Sequence, residues 1–416
     1  MIRNILTLFA GSTAARVISV AAIPLLTRLY LPEDFGLYAL FVSVVAIFAP
    51  ILTLRYESAI PLPKTRSAAS ALVLTSLLVT SLNVLVLGAL LGLVWWQQDL
   101  LPMKAQPGLF YGLLLLAAGL NAFFEVGQYW AVRNKSMRVI AKAQILQTSF
   151  ANISKIALGF FSTGGFGLIA GQLVHQLSGV VAVWSQLHEA FRIQGKRFRL
   201  KRAQAMARKY MEFPTIRLPA HLLQALSSKL PLFMSAALFD INATGQLSLA
   251  FSAIAIPVSL ISQSIGTAYY AEIAAIGSKN AIKIIELTKK VITHLAAIAI
   301  VPTIVLAFFG KDIFSLAFGA EWTVAGGIAQ ILAIAMFFQI IAAPIIHVLS
   351  VFGHHSEFFS INFVRVVLIG GAFLVAKLFS FDLTATVGIY CTALTLHYIL
   401  VSARIFKLLK SNIHTE

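Results

Sequence analysis

Six cations fall inside stretches that are otherwise apolar: Arg16, Lys142, Lys155, Arg217, Lys229 and Arg365. A charge at the centre of a membrane helix costs about 2.5–3.5 kcal/mol on insertion scales. Six of them therefore need a reason. Spacing supplies part of one. Arg217, His221, Gln224 and Ser228 are separated by four, three and four residues, which puts them on one face of a helix. Lys229 stands beside that stripe. Ser12, Arg16 and Ser19 follow the same rule, as do Asn121, Glu125 and Gln128, and Gln144, Thr148 and Lys155 nearly align. A polar stripe on a spanning helix turns away from lipid, toward other helices or water. Stripes that are mostly cationic, in both halves of the chain, suit a water-filled cavity with fixed positive charge. The solute that gains from such a cavity is an anion, because low-dielectric walls strengthen its attraction.

Two readings stand for the cations near a segment end. Lys142, Arg217 and Arg365 lie within about two turns of one, so each either snorkels to the interface or lines the cavity. Arg16 sits mid-segment and snorkels with difficulty; Lys155 and Lys229 are intermediate. Arg suits bidentate phosphate contact, while Lys acts as a point charge. Glu125 is the lone carboxylate at this depth and the candidate titrating group for ion coupling. Pro219 and Pro231 predict a kinked helix around the Arg217 stripe.

The elements that must carry these residues follow from composition. The 416 residues are 59% hydrophobic and 11% charged, with mean hydropathy +0.87. A soluble fold made this way has too little polar surface to cover itself. Twelve apolar runs reach spanning length: 5–27, 36–54, 69–95, 109–131, 139–161, 167–187, 212–239, 245–271, 291–309, 324–350, 358–377 and 383–403. Strand alternation is absent, which argues against a membrane barrel, so helices must satisfy the backbone in lipid. The first run reads as a membrane helix rather than a cleaved signal, since Arg16 interrupts it and no clear cleavage site follows.

The formal charge of +17 would suggest nucleic acid in a soluble protein. Here it follows the positive-inside rule. With the N-terminus in the cytoplasm, 22 Lys and Arg fall inside and four (Arg28, Lys104, Lys311 and Lys377) outside. This asymmetry predicts both termini in the cytoplasm. Eight of the inside cations lie between Arg192 and Lys209, in a basic stretch that divides six runs from six. The expected organisation is an N-terminal lobe (1–190), a basic cytoplasmic linker (191–211) that attracts anionic lipid headgroups, and a C-terminal lobe (212–416).

Several chemistries are disfavoured. No Walker-type phosphate loop, HExxH or Cys/His cluster occurs. Cys391 is the only cysteine, so no intrachain disulfide forms. The pair His354–His355 has no evident acid or thiol partner and reads as interfacial rather than as a metal site. No nucleophile elbow appears. The expectation is a protein with no catalytic residues and no metal.

Several stretches carry a resemblance, in order along most of the chain. LTRLYLPEDFGLYAL (26–40), LRYESAIPLPKTRSAASAL (54–72), RNKSMRVIAKAQ (133–144) with GFGLIAGQL (165–173), AIPVSLISQSIGTAYYAEIA (255–274) and FGAEWTVAGGIAQILA (318–333) resemble segments of Wzx-type lipid-linked oligosaccharide flippases. These belong to the MOP superfamily, with lipid II flippases and MATE drug exporters. The resemblance implies an all-α integral membrane protein of the MOP type. It would have about 12 transmembrane helices in two six-helix bundles around a central cavity.

It further implies alternating access in the bacterial inner membrane. An undecaprenyl-diphosphate-linked oligosaccharide would move from the cytoplasmic to the periplasmic leaflet for O-antigen, capsule or exopolysaccharide synthesis. The diphosphate would be the anion met by Arg16, Lys155, Arg217, His221, Lys229 and Arg365. Ser12, Gln144, Gln224 and Ser228 would complete the polar lining. No cofactor is implied beyond an H+ or Na+ gradient, with Glu125 as its candidate site. The implied partners are the lipid-linked glycan, membrane lipids, and a polysaccharide polymerase with its chain-length regulator. The rival readings are a MATE-like exporter of cationic drugs, which would want carboxylates in the cavity, and a membrane enzyme of polysaccharide assembly, which would want a long periplasmic loop.

Overall fold

The computed structural model describes residues 2–96, 107–194, 200–277, 280–352 and 355–411, and among these it is helical with no strand. Lys104, Lys196, Arg197, Arg199, Lys279 and His354 lie outside the described residues.

The order is α1 (Ile2–Leu29), α2 (Pro32–Thr53), α3 (Arg66–Trp96), α4 (Pro107–Arg133), α5 (Met137–Phe160), α6 (Gly165–Gln194), the short α7 (Leu200–Lys209) and α8 (Leu218–Leu238). Then come α9 (Ile241–Ile276), α10 (Ala281–Phe318), α11 (Thr323–Ile345), the single turn α12 (Val348–Val351), α13 (His355–Leu378) and α14 (Leu383–Ser411). Each of the twelve apolar runs is found as a long helix. Among the described residues, ten helices are long and apolar enough to cross a membrane. The two long helices that fall short are α5, which carries Lys142 and Lys155, and α8, which carries His221 and Lys229.

Several bounds differ from the apolar runs for physical reasons. The run 324–350 is broken after Pro344, whose missing N–H ends α11 within a turn; the chain restarts as α12. The four-lysine stretch before 291 is largely helical, not loop. Asn280 caps it by accepting from the Lys283 amide (3.1 Å), so α10 begins ten residues before its apolar part. Asp240 caps α9 in the same way through the Ala243 amide (2.6 Å). Apolarity marks what lipid requires, whereas caps mark where a helix starts.

The chain forms two compact units. The first comprises Met1–Asp34 and Leu40–Ala225; the second comprises Phe35–Ala39 and Leu226–Glu416. In the first, α6 is the central helix, packed against α3, α4 and α5, with α1 on α5. Its core includes Leu72, Trp130, Val183 and Phe213. In the second, α11 is central, packed against α9, α10 and α14, with α13 on α14. Small residues permit close backbone approach in such bundles. A methyl group at Gly310 of α10 would lie 2.8 Å from the Gly326 carbonyl oxygen of α11. The outward faces are strongly apolar: Leu316, Trp96, Phe161 and Phe308 are all largely exposed. That is a lipid-facing surface, far more apolar than a soluble monomer shows.

Candidate functional site: charged groups inside the helical units

The first site is built on α5 and α6. Lys155, near the end of α5, is only 7% exposed. Its aliphatic stem lies directly on Gly171 of α6, where any side chain would collide with it. Its charge acts on His175, one turn further along α6. The same seam holds Gln147 and Gln176, both buried. Gly179 allows Gln147 to sit against the α6 backbone. Gln144 Oε1 and Gln147 Nε2 are shut away from solvent with no hydrogen-bond partner among the described residues, while His175 and Gln176 contact each other. Buried polar atoms of this kind seek water or a polar ligand. Sequence reasoning found Lys155 and Gln144 here but missed Gln147, His175 and Gln176. The signal existed, since Gln172, Gln176 and Gly179 are spaced four and three apart on α6.

The second site is the turn after α2. Leu54 and Arg55 are consecutive non-glycine residues with positive φ (48° and 60°). This conformation is strained for residues bearing a Cβ. The turn is clamped from several sides. Asn83 of α3 donates to the Leu52 carbonyl oxygen (3.0 Å), Arg133 of α4 to that of Pro61 (2.8 Å), and the Tyr56 hydroxyl to that of Ala207 in α7 (3.1 Å). The product is Glu57, fully buried in the 3-10 turn Tyr56–Ala59. Its Oε1 pairs with Arg55 (3.2 Å) and accepts from the Ser58 hydroxyl (3.0 Å), while Oε2 is buried without a partner. Glu125 on α4 lies within electrostatic reach of both Glu57 and Arg55, and its own Oε2 is buried and unpartnered. Glu57 escaped sequence reasoning because its stretch reads as a loop. Only the fold puts it inside.

The stripe on α8 is divided in character. Arg217 belongs to a π-helical turn, Phe213–Arg217, that precedes α8. Pro219 falls in the first turn of α8, where it cannot donate to the Thr215 carbonyl. The wider π-turn at this point is the local answer, with the Leu218 amide donating to Phe213. Pro231 lies inside the helix, as expected. Arg217 is exposed, paired with Glu212 (3.2 Å) and stacked over the Phe213 ring at 4.5 Å. It is therefore held locally at the helix start. His221 is half-buried and feels the charge of Arg55. Gln224 and Ser228 are exposed, and Lys229 is half-buried. Exposed polar groups on a membrane helix face water rather than lipid. On α1, Ser12 and Arg16 are half-buried, while on α5 Lys142 is exposed.

Arg365 stands in the second unit. It does not point outward. Its guanidinium lies over the Tyr398 ring of α14 at 5.9 Å, with Nε buried and without a hydrogen-bond partner. Its charge also acts on Tyr390 and His397, both buried. The seam between α13 and α14 thus sets the Arg365 guanidinium among aromatic and hydroxyl groups.

Residues 25–326 match the family described as polysaccharide biosynthesis protein. The chain belongs to that family. A search of curated proteins finds no match. Among solved structures, this family member resembles an inward-facing multidrug resistance MATE transporter of the MOP superfamily at TM-score 0.72 and 14% identity, covering 97% of this chain and 96% of the other. It resembles the lipid II flippase MurJ, in an inward closed conformation, at TM-score 0.73 and 12% identity, covering 98% and 91%. A MOP superfamily transporter from Pyrococcus furiosus, described as having a binding pocket of reversed polarity, follows at 0.62 and 14%, covering 99% and 95%. At these identities the likeness establishes the fold, which is that of MOP transporters. The chain is thus a multi-pass helical member of a polysaccharide biosynthesis family whose fold is shared with these transporters.

Proposed function

We propose that this protein flips an undecaprenyl-diphosphate-linked oligosaccharide repeat unit from the cytoplasmic to the periplasmic leaflet of the bacterial inner membrane. It works by alternating access, driven by an H+ or Na+ gradient, with both termini in the cytoplasm. The observation that carries this reading is the retention of inward-turned cations, Lys155 and Arg365 above all, in a polysaccharide biosynthesis family member with a MOP fold. A diphosphate leaving bulk water needs fixed positive charge and hydrogen-bond donors to replace its hydration. Within the first unit Lys155 and the half-buried Arg16 supply charge, and Gln144, Gln147 and Gln176 supply amides suited to sugar hydroxyls. The prenyl tail stays in lipid against the apolar outer faces.

The test is a leaflet assay in sealed vesicles, with purified protein and a panel of lipid-diphosphate oligosaccharides. Wild type should translocate at least one of them, and Lys155→Ala and Arg365→Ala should lose most of that activity while remaining folded. Equal transport by wild type and both variants would make these charges structural. Failure of wild type on every glycan, with export of cationic drugs instead, would favour the drug-exporter reading.

A further inference from the structure

We propose that the outward face of α10 docks anionic phospholipid headgroups, held by Lys283 and Lys290 in the leaflet where that helix begins. α10 is longer than a bilayer needs. Its 38 residues make a rod of about 57 Å at 1.5 Å per residue, against about 30 Å for a hydrocarbon core. The 20 residues between Lys290 and Lys311 contain no Asp, Glu, Lys or Arg, and that is one spanning length. Lys290 therefore stands at one edge of the hydrocarbon, with Lys283 about 10 Å further out.

One face of the helix runs through both regions. Lys283, Lys290, His294, Val301, Ile304 and Phe308 are separated by seven, four, seven, three and four residues, and all six are exposed. The opposite face, with Ile284, Leu295, Ala299 and Phe314, is buried. The surface that meets acyl chains is thus the surface that carries the lysines. A lipid lying against the exposed Ile298 and Val301 has its phosphate at the level of Lys290. An acidic protein or a nucleic acid meets only the charged half of this stripe, whereas a lipid fits both halves.

The neighbouring helix repeats the pattern. On α14, Leu396, Leu400, Ala403, Lys407 and Lys410 are spaced four, three, four and three apart, and all are exposed. Ile284 and Ile285 of α10 share a core cluster with Ile405 and Leu409 of α14. Both helices therefore turn from apolar to cationic at the same end of the second unit.

The lysines are available for a partner. Among the described residues, none of Lys283, Lys290, Lys407 and Lys410 makes an ion pair. Arg404 of α14, by contrast, is held by both carboxylate oxygens of Glu357 (3.0 and 2.6 Å). Glu286 is the one acidic residue between Ala281 and His294. Lys283, Lys289 and Lys290 stand against it, so the segment is net positive. The docking surface does not depend on the flippase reading; only its assignment to the cytoplasmic leaflet rests on that reading.

The test places a fluorophore on the face itself. Full-length protein carrying Cys391→Ser and Ile298→Cys is labelled and reconstituted in phosphatidylcholine bilayers, without glycan. A fraction of the lipid is phosphatidylglycerol or phosphatidylcholine with brominated chains. Brominated phosphatidylglycerol should quench several-fold more effectively than the same fraction of brominated phosphatidylcholine, and high salt should reduce the preference. Lys283→Gln with Lys290→Gln should bring the preference close to one, since each lysine near a membrane surface is worth about fivefold. Lys283→Arg with Lys290→Arg should retain it. A label at Leu316→Cys, at the far end of the helix where Asp312 offsets Lys311, should show no preference. The proposal fails if the two lipids quench equally with both lysines present, or if the preference survives the Gln pair. It also fails if neither lipid quenches the label, which would put water or a second copy of this chain on the face. Salt dependence with both lysines present keeps the test valid where the Gln pair does not fold. Absence of glycan translocation with the lipid preference intact would sink the flippase reading and leave the docking surface standing.

Discussion

The hydroxyl of Tyr30 donates a 2.7 Å hydrogen bond to the main-chain carbonyl oxygen of Lys155, 125 positions away. It ties the α1–α2 connection to the last turns of α5, where the most buried intramembrane lysine is displayed. Burial pushes the Tyr30 phenol above its usual pKa, with a hydrogen bond to Thr163 partly opposing this. The phenol therefore stays a donor across the physiological range. Tyr30→Phe should lower stability by about 0.5–1.5 kcal/mol, the usual net value of one buried hydrogen bond. Denaturant unfolding of the purified protein measures this, and an unchanged midpoint would mean the contact is energetically idle.

Gly171→Ala should be destabilising by about 1–3 kcal/mol, the usual range for overpacking a close helix contact. The added methyl meets the Lys155 stem and lies 3.1 Å from the Ala151 carbonyl oxygen. Because much of the clash is with a side chain, Lys155→Ala in the same protein should recover part of the loss. The two substitutions should be clearly non-additive in a double-mutant cycle. Additivity would show that Lys155 does not rest on Gly171.

Arg365→Leu separates a functional charge from an anchoring one. A cation held in a helix seam without a carboxylate partner carries a desolvation cost that an apolar side chain removes. The variant should therefore melt at or above the wild-type temperature while glycan translocation falls sharply. Parallel loss of stability and transport would make the Tyr398 stacking structural.

Arg217→Ala should leave most of the transport activity in place, in contrast to Lys155→Ala. Its pairing with Glu212 is exposed on both sides, and exposed pairs contribute about 0–1 kcal/mol. Rates from the vesicle assay should rank Lys155→Ala well below Arg217→Ala. The reverse ranking would move the anion site to the start of α8.

The helices themselves were legible in the sequence, because lipid forces long apolar runs and leaves helices as the way to satisfy the backbone. The polar stripes were legible too, since spacing of three and four fixes a helix face. Lys155 and Gln144 were found this way, and both face the interior of their unit. Arg217 was placed on the same stripe as His221, but the π-turn before Pro219 holds it at the surface against Glu212 and Phe213. Glu57 was invisible as an interior group because its segment lacks any periodic pattern. Its burial depends on Asn83, Arg133 and Ala207, contributed by three helices far apart in sequence. Solvent preference acts residue by residue and can be read from a string. Which charge meets which depends on contacts between distant elements, and those exist only once the chain is folded.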